Sequence, residues 1–546
     1  MKFDVVIIGA GVIGNAIAQN LSKYDLSIAV LEKEADTAFG ISGRNSGVVH
    51  SGFNNPSGML KASLCVSGCE GFEEVAKQLG IEYKRTGKLL VATDEEEKTE
   101  LIRLKKQGEI NGAKGLALIG QDLIKEINSR IKGIAGLYSE KSGIFDPFEY
   151  TIALANSACE NGVKYFFNNK VEKISKAEST NSNEKFGCIS NNGSVSSSCK
   201  SRGSNNISSN NCDIDKYGEN QARFKIKTRK TVCTENFRDF DPAKKTENQI
   251  GASESEEFEE FETSWLINSA GLFSDEICRM LDIYDYEIHP KRGEYHVLDK
   301  RYSLDLKLPV YPVPKKESGV LGIHLTNTMA GNVLIGPSGE NIDIKEDYET
   351  TKYIMDKLLE EGSGFIDTDL SKFVIRSFSG VRPKLKIKGS INISEEDFII
   401  KEAETVDRFI ILTGIESPGM TCAIPIANMV KDIIDAKDSL KIKADTLHKK
   451  KLEEKSPDKY NNKNIICRCE EISEGEILKA FDDIVNIGAS PTLRGIKNRT
   501  RAGMGRCQGG FCTNRILKLL EEKRAFSQLE LCLFNQDSKM VIGRLR

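Results

Sequence analysis

The sequence predicts an α/β chain: a parallel sheet that begins at the N-terminus, an antiparallel sheet interleaved with it, and a small helical unit at the C-terminus. Three observations predict this. The apolar β-branched run Phe3–Ile8 leads directly into the turn Gly9-x-Gly11-x-x-Gly14, then a helix and a second strand, Ser27–Leu31. Two distant apolar segments end in similar small-residue turns, Asn268-Ser-Ala-Gly-Leu-Phe-Ser274 and Gly414-Ile-Glu-Ser-Pro-Gly-Met-Thr421. Four cysteines, Cys467, Cys469, Cys507 and Cys512, stand together near the C-terminus on glycine-rich flanks.

At 546 residues the chain is too long for one core, and two to four domains are expected. The net charge of −3 carries no basic bias, which argues against nucleic acid or an acidic membrane face as partner. Mean hydropathy is −0.35, and no apolar run reaches the ~18 residues of a spanning helix. The first apolar stretch enters a glycine turn where a cleavable signal would need a small-residue cleavage site, so a cytoplasmic protein is expected. Fourteen cysteines in such a chain read as cofactor ligands or buried thiols, not a disulfide framework.

Each part of the N-terminal turn has a job. Gly9 permits a tight turn, Gly11 lets a pyrophosphate approach the backbone, and Gly14 lets helix and strand pack closely. The helix start offers free N–H groups and a positive dipole end. Glu32 lies 18 positions beyond Gly14 and closes the second strand. A carboxylate there accepts from both ribose hydroxyls and repels a 2′-phosphate, so FAD or NAD fits and NADP does not. The stretch Phe39–Gly52 (FGISGRNSGVVHSG) is rich in small polar residues that can lie along a flavin. Three glycine turns, each after a strand, suit a ligand as long as FAD within a Rossmann-like domain.

Further along, Leu60–Leu79 reads as a helix with Cys65 and Cys69 as core residues on one face. Residues 68–140 contain helical, charge-rich stretches, with DEEEKTELIRLKKQGEING a solvated face. Residues 176–262 form a Ser/Asn/Gly-dominated insertion, expected to be mostly disordered, within which ARFKIKTRKTV (222–232) alternates like a strand. Residues 283–395 read as an antiparallel substrate-binding sheet. A helix is expected at Ala423–Ile434, a Lys-rich linker at 436–463, and short helices at Ser473–Phe481 and Asn514–Lys523. Residues 524–546 form a tail of unknown role.

The cysteines form a C-x-C pair, a gap of 37 residues and a C-x4-C pair. Zinc and iron–sulfur both accept four thiolates. A preceding flavin domain favours iron–sulfur, and a visible spectrum discriminates.

Together, Gly9/Gly11/Gly14, Glu32, SGRNSGVVHSG (42–52), IFDPFEYTIALA (144–155), INSAGLFSDEI (267–277), GVLGIHLT (319–326), FSGVRPK (378–384) and GIESPGMT (414–421) resemble the FAD-dependent oxidoreductases of the D-amino-acid-oxidase-like group, in the branches of glycerol-3-phosphate and L-2-hydroxyglutarate dehydrogenases. The likeness covers roughly 1–435. The segment 464–523 is similar to the BFD-like [2Fe–2S] domain of bacterioferritin-associated ferredoxin, with Cys467, Cys469, Cys507 and Cys512 as ligands. The resemblance implies a Rossmann-like FAD-binding domain with an interleaved antiparallel-sheet substrate domain, and a small C-terminal helical [2Fe–2S] domain. It places Gly9, Gly11, Gly14 and Glu32 on the adenosine diphosphate, and Ser42, Arg44, Asn45, Ser46 and Gly47 along the flavin. Val171 falls on the adenine, and Ala270 and Gly271, then Gly414, Ser417 and Gly419, on the flavin's other contacts.

Oxidation of a C–H next to a hydroxyl needs a base and, for an anionic substrate, a cation. The chain has five histidines. His448 lies in the Lys-rich linker. His50 and His324 fall in motifs near the flavin of the relatives and are the candidate base and substrate donor. A hydrogen-bonded histidine at a domain junction is the plain alternative for either, and His50 could instead carry a covalent flavin bond. Arg382 is the candidate anion clamp, against an ordinary ion pair, with Arg44 second. Tyr295 and Lys291 are read as pocket residues, Arg292 and Glu294 as surface charges. Arg501 and Arg506 are read as a basic rim for an acidic redox partner or for offsetting thiolate charge.

The resemblance implies a dehydrogenase oxidising glycerol 3-phosphate to dihydroxyacetone phosphate, with electrons passing through the cluster to a protein acceptor such as an NADH-linked flavoprotein subunit. L-2-hydroxyglutarate or another 2-hydroxy or amino acid is the alternative substrate. A non-catalytic redox-sensing or electron-transfer subunit with structural flavin is the alternative of another class.

Overall fold

The computed structural model describes residues 1–177, 223–231, 257–302, 304–314, 322–364, 366–389, 397–444, 463–535 and 537–541. The low-complexity insertion expected at 176–262 therefore lies outside the described residues for 178–222 and 232–256, and the Lys-rich linker for 445–462.

Two sheets organise the chain. The first has eight strands among the described residues. Its centre is parallel: Phe409–Thr413, Glu257–Asn268, Lys2–Ile8, Ile28–Leu31 and Lys164–Phe166, in that order. Val5, Val6, Ile7 and Ile8 are buried because helices and loops cover both faces, which is why the run reads as continuously apolar. Helices Val12–Leu21, Leu60–Leu79, Pro147–Glu160 and Gly419–Asp438 stack on one face and share one core with the strands. Their ends carry local signals. Asp146 accepts from the Phe148 and Glu149 N–H groups ahead of Pro147 at N1, and Gly80 ends its helix at φ +68°.

The second sheet has nine strands among the described residues. Its long hairpin-like pair is Tyr286–Leu298 against Val374–Ile387. Here the structure enlarges the sequence reading. Lys88–Ala92, Leu116–Gly120 and Ala135–Ser139, which the sequence reading did not assign, are strands of this sheet flanking the expected charge-rich helix. Only Glu95–Ile110 and a short helix at Gln121–Ile127 are helical between them.

The acidic segment EFEEFE, read as part of the insertion, is instead the start of the strand Glu257–Asn268. Its partner is Phe224–Lys230 (FKIKTRK), and the register sets Lys225 against Glu262 and Lys227 against Glu260. Opposite charges across an antiparallel pair stabilise what neither strand does alone, while Phe261 fills the core beneath.

The C-terminal unit holds helices Glu474–Asn486, Leu493–Thr500 and Thr513–Arg524. The first opens with a capping box between Ser473 and Glu476. The middle helix was not foreseen. The tail folds back: the Leu493 and Arg494 N–H groups donate to the Cys532 and Leu533 carbonyls, and Leu531 and Cys532 are buried. The apolar face of this unit continues the core under the parallel sheet, through Ile466, Ile477, Ile484, Ile496 and Ile516. No helix among the described residues is long and apolar enough to cross a membrane.

Candidate functional site

The N-terminal turn is built as its glycines suggest. Gly9 takes φ +104°, and a Cβ there would lie 2.7 Å from the Ser269 carbonyl. A Cβ on Gly14 would lie 2.0 Å from the Gly9 carbonyl, so helix and turn can close only on glycine. Gly11 caps the helix Val12–Leu21 with no side-chain hydrogen bond, so the positive end of the helix dipole meets the glycine turn. The Val12 N–H donates to Ser42 Oγ (2.9 Å). Glu32 Oε2 accepts from the Ala10 N–H (2.7 Å) and Oε1 from the Glu34 N–H (2.9 Å). Burial, then the nearby Glu34 charge, pushes the Glu32 carboxyl up to about 7 against those two hydrogen bonds.

These groups open on one cavity of about 750 Å³, within the range of cofactor sites. Gly9, Gly11, Glu32, Ser42, Arg44, Asn45, Ser46, Val171, Ala270, Gly271, Gly414, Ser417 and Gly419 all stand in its wall. Two residues assigned to the ligand stand behind it. Gly14 packs the turn, and Gly47 (φ +64°), whose Cβ would meet the Phe145 carbonyl at 2.3 Å, holds the loop against the strand Gly143–Phe145. Val171 reaches the wall although the run VKYFFNNKV is broken at Asn168 (φ +55°) into two strands.

His50, His324, Arg382 and Tyr295 stand in the wall of the same cavity. Both histidines are buried, and burial holds their pKa values well below the usual imidazole range; Lys88 lowers His50 further and His50 lowers His324. Both rings are therefore neutral at neutral pH. His324 Nδ1 lies 2.8 Å from Thr326 Oγ1, and its ring stacks on Tyr311 at 3.8 Å. Arg382 Nη2 donates to the Ser338 carbonyl (3.1 Å), while its Nη1 is buried without a partner. Arg44 Nη1 donates to the Ser379 carbonyl (3.1 Å), its guanidinium lies 4.0 Å over the Tyr348 ring, and its Nε is likewise orphaned. Orphaned guanidinium nitrogens in a cavity wall mark places for ligand oxygens.

Three readings need correction. Lys291 does not reach the cavity wall, although Tyr295 does. Arg292 and Glu294 are not surface charges. They are 7 % and 0 % exposed and pair at 3.2 Å, and Glu294 also accepts from the Thr351 N–H (2.7 Å). Their strand is covered on both faces, so its charges must be matched in place. Sequence reasoning also missed Lys88, whose Nζ lies 3.5 Å from His50 Nδ1. A lone cation in the apolar strand KLLVA was the available signal.

In the C-terminal unit, Cys467 ends the strand Ile465–Cys467, and Cys512 caps the helix Thr513–Arg524. The four thiols come together in two pairs, Cys467 with Cys512 and Cys469 with Cys507. Among the described residues no three His, Cys, Asp or Glu side chains converge as a single metal ion needs. Four thiols brought together would suit a [2Fe–2S] cluster, which takes four thiolates. The Cys467 thiol is drawn down to about 5, first by the Cys512 thiol and then by the N–H groups of Gly503, Glu470 and Cys469, against its burial. The Phe511 N–H lowers Cys507. Gly505 must be glycine, since its Cβ would lie 2.3 Å from Cys469 Cβ.

Arg501 and Arg506 do not form a free rim. Arg506 Nε donates to Asp299 (2.8 Å), and Arg501 donates to Asn332 (2.9 Å) and Glu470 (3.2 Å). On the other side of the same unit, Arg499 pairs with Asp36 and Arg494 donates to the Phe39 carbonyl (2.7 Å). These contacts fasten the cysteine unit to both the cavity loop and the second sheet.

Residues 4–197 and 233–433 match the family described as FAD dependent oxidoreductase, and residues 465–522 match the BFD-like [2Fe-2S] binding domain. Glycerol 3-phosphate dehydrogenase of Caloramator mitchellensis is 32% identical, over 99% of this chain and 98% of that protein. The mitochondrial L-2-hydroxyglutarate dehydrogenase of Bos taurus is 31% identical over 69% of each. Among solved structures, dithionite-reduced L-alpha-glycerophosphate oxidase from Mycoplasma pneumoniae with FAD bound aligns with TM-score 0.62 and 25% identity, covering 82% of this chain and 98% of that one.

Proposed function

The chain belongs to the FAD-dependent oxidoreductase family and carries a BFD-like [2Fe–2S] domain, and from that premise we propose that it oxidises glycerol 3-phosphate to dihydroxyacetone phosphate, the electrons leaving through the C-terminal centre to an acceptor protein. One observation carries this reading. Arg382, with a buried and unpartnered Nη1, shares a cavity wall with two neutral histidines and with the glycine turns that cradle the cofactor.

Bound in that cavity, FAD supplies the acceptor for the hydrogen on the substrate's carbinol carbon. The chain's residues do the rest. Arg382 holds a phosphate oxygen at Nη1 while the Ser338 carbonyl keeps its fork in place. One histidine accepts the hydroxyl proton, and the other donates to the same oxygen. The glycine turns and Glu32 position the adenosine end. The substrate choice rests on the Caloramator relative, which matches through both the flavin and the iron–sulfur parts. L-2-hydroxyglutarate is the second reading, supported by the bovine relative.

An anaerobic flavin-bleaching comparison tests it. Glycerol 3-phosphate should bleach the flavin within seconds and L-2-hydroxyglutarate should not. Bleaching by the hydroxy acid alone overturns the phosphate reading, and bleaching by neither overturns both.

A further inference from the structure

Lys88 opens the strand Lys88–Ala92 and is 1 % exposed. A buried ammonium ordinarily has a carboxylate partner. Lys88 has none among the described residues. Its Nζ lies 3.5 Å from His50 Nδ1, 4.5 Å over the Phe53 ring and 4.7 Å over the Tyr311 ring. Other groups facing it are the thiols of Cys65 and Cys69. Ser139 pairs with Lys88 across the sheet, and its hydroxyl bonds to that of Ser51; His324 stacks on Tyr311. Arg382 is the remaining cation that acts on this group, lowering His324.

We propose that Lys88 is a positioning residue: its ammonium donates to His50 Nδ1 and fixes His50 as a donor at Nε2, leaving His324 to accept the substrate's hydroxyl proton. An ammonium has hydrogens and no lone pair, so the nitrogen facing it must be the unprotonated one of a neutral ring. The other nitrogen of His50 then carries hydrogen, and it makes no hydrogen bond to the described protein. His324 differs. Its Nδ1 faces the Thr326 hydroxyl, which can accept, so Nε2 is free to carry a lone pair. Two histidines that the sequence could not tell apart thus receive different roles from one cation. The inference rests on the alcohol-oxidation reading above and assigns roles within its site.

The charge on Lys88 makes the arrangement sensitive to pH. Burial lowers its pKa to about 8, against the thiols of Cys65 and Cys69, which raise it. Below that value the ammonium holds the His50 tautomer. Above it the neutral amine can accept as well as donate, and the ring is released.

The test uses the flavin-loaded full chain with 15N-labelled histidine, the His50 signal being the one lost in His50→Gln. At pH 7 the ring should show the Nε2–H tautomer, and titration through about 8 should release it. Lys88→Met, close in volume and uncharged, should give mixed tautomers, lower kcat with glycerol 3-phosphate by about 10- to 100-fold, and leave KM and flavin content within about twofold. Lys88→Gln, which keeps an N–H donor, should restore the tautomer and most of kcat, with no alkaline loss near 8. An unchanged tautomer and pH profile in Lys88→Met overturns the inference. So does an Nδ1–H ring in the unsubstituted protein at pH 7, whatever the variants do. If glycerol 3-phosphate fails to bleach the flavin while the tautomer behaves as expected, the substrate reading falls and the role of Lys88 stands.

Discussion

Arg506, one residue before Cys507, donates from Nε to Asp299 at 2.8 Å, joining the C-terminal unit to the end of the long strand pair. Asp299 is nearly buried and Arg506 half exposed, so the pair lies between the surface and core cases. Arg501 adds a second bond across the same junction, to Asn332. Removing both, in Arg501→Ala/Arg506→Ala, should cost about 1–2 kcal/mol of docking, while the shared apolar core keeps the unit in place. Stopped-flow absorbance should show substrate-driven flavin bleaching at an unchanged rate, and cluster reduction slowed about fivefold per kcal/mol lost. Equal slowing of both phases would place the arginines in the substrate step.

Glu32 predicts a pH dependence of cofactor binding. In the protein without flavin its carboxyl is raised to about 7, first by burial. A raised carboxyl pKa means that the fold binds a proton the unfolded chain releases near 4.5. Its contribution to stability is thus lost as pH rises from about 4.5 to 7, and is constant above. Ribose hydroxyls need the carboxylate, so FAD affinity should rise with pH through about 7. Glu32→Gln should bind FAD about 10- to 100-fold more weakly at pH 8 and with little pH dependence. Titrating apoprotein by flavin fluorescence from pH 5.5 to 8.5 checks both statements.

Much of the site was legible because its demands are local. A pyrophosphate turn needs glycines at fixed spacing, and Gly9 and Gly14 show why: any Cβ there meets backbone. The cysteines likewise stand out by their spacing, and the fold brings them together in pairs. Long-range pairing hid the rest. Glu257–Phe261 looks disordered until Phe224–Lys230 is set beside it. Arg506 looks like a free cation until Asp299 arrives from another sheet. Lys88 looks like an anomaly in an apolar strand, because the residues that use it, His50 and Tyr311, come from other segments. Charged residues on strands covered on both faces, such as Arg292 and Glu294, have roles set entirely by their partners.

The cysteine pairing makes a spectroscopic prediction. Cys507 is exposed and is lowered first by the Phe511 N–H, whereas Cys467 and Cys512 are buried. Cys507→Ser should remove the iron–sulfur absorbance and acid-labile sulfide, while flavin content and bleaching by substrate stay as they were. Because the C-terminal unit shares its core with the parallel sheet, the variant should remain folded, with a lower Tm. Bands that survive in Cys507→Ser and vanish in a variant of a cysteine outside the quartet would reassign the ligands.

Arg382 carries the remaining prediction, because its two terminal nitrogens have different fates. Nη2 is engaged by the Ser338 carbonyl, and Nη1 is buried and unpaired. An unpaired buried donor is costly, and a substrate oxygen at Nη1 removes that cost on binding. Arg382→Ala should raise KM for glycerol 3-phosphate by about 100-fold, from the ~3 kcal/mol of a lost charge-assisted hydrogen bond. Flavin content should not change, since Arg382 is not among the residues proposed to hold the cofactor. Arg382→Lys keeps the charge but cannot satisfy both the Ser338 carbonyl and the substrate, so it should fall between. Steady-state kinetics across a range of glycerol 3-phosphate concentrations separates the two effects. A drop in kcat with KM unchanged would mean that Arg382 acts on the transition state alone, and the anion would then need another clamp, for which Arg44 offers a second guanidinium in the wall, with an orphaned Nε.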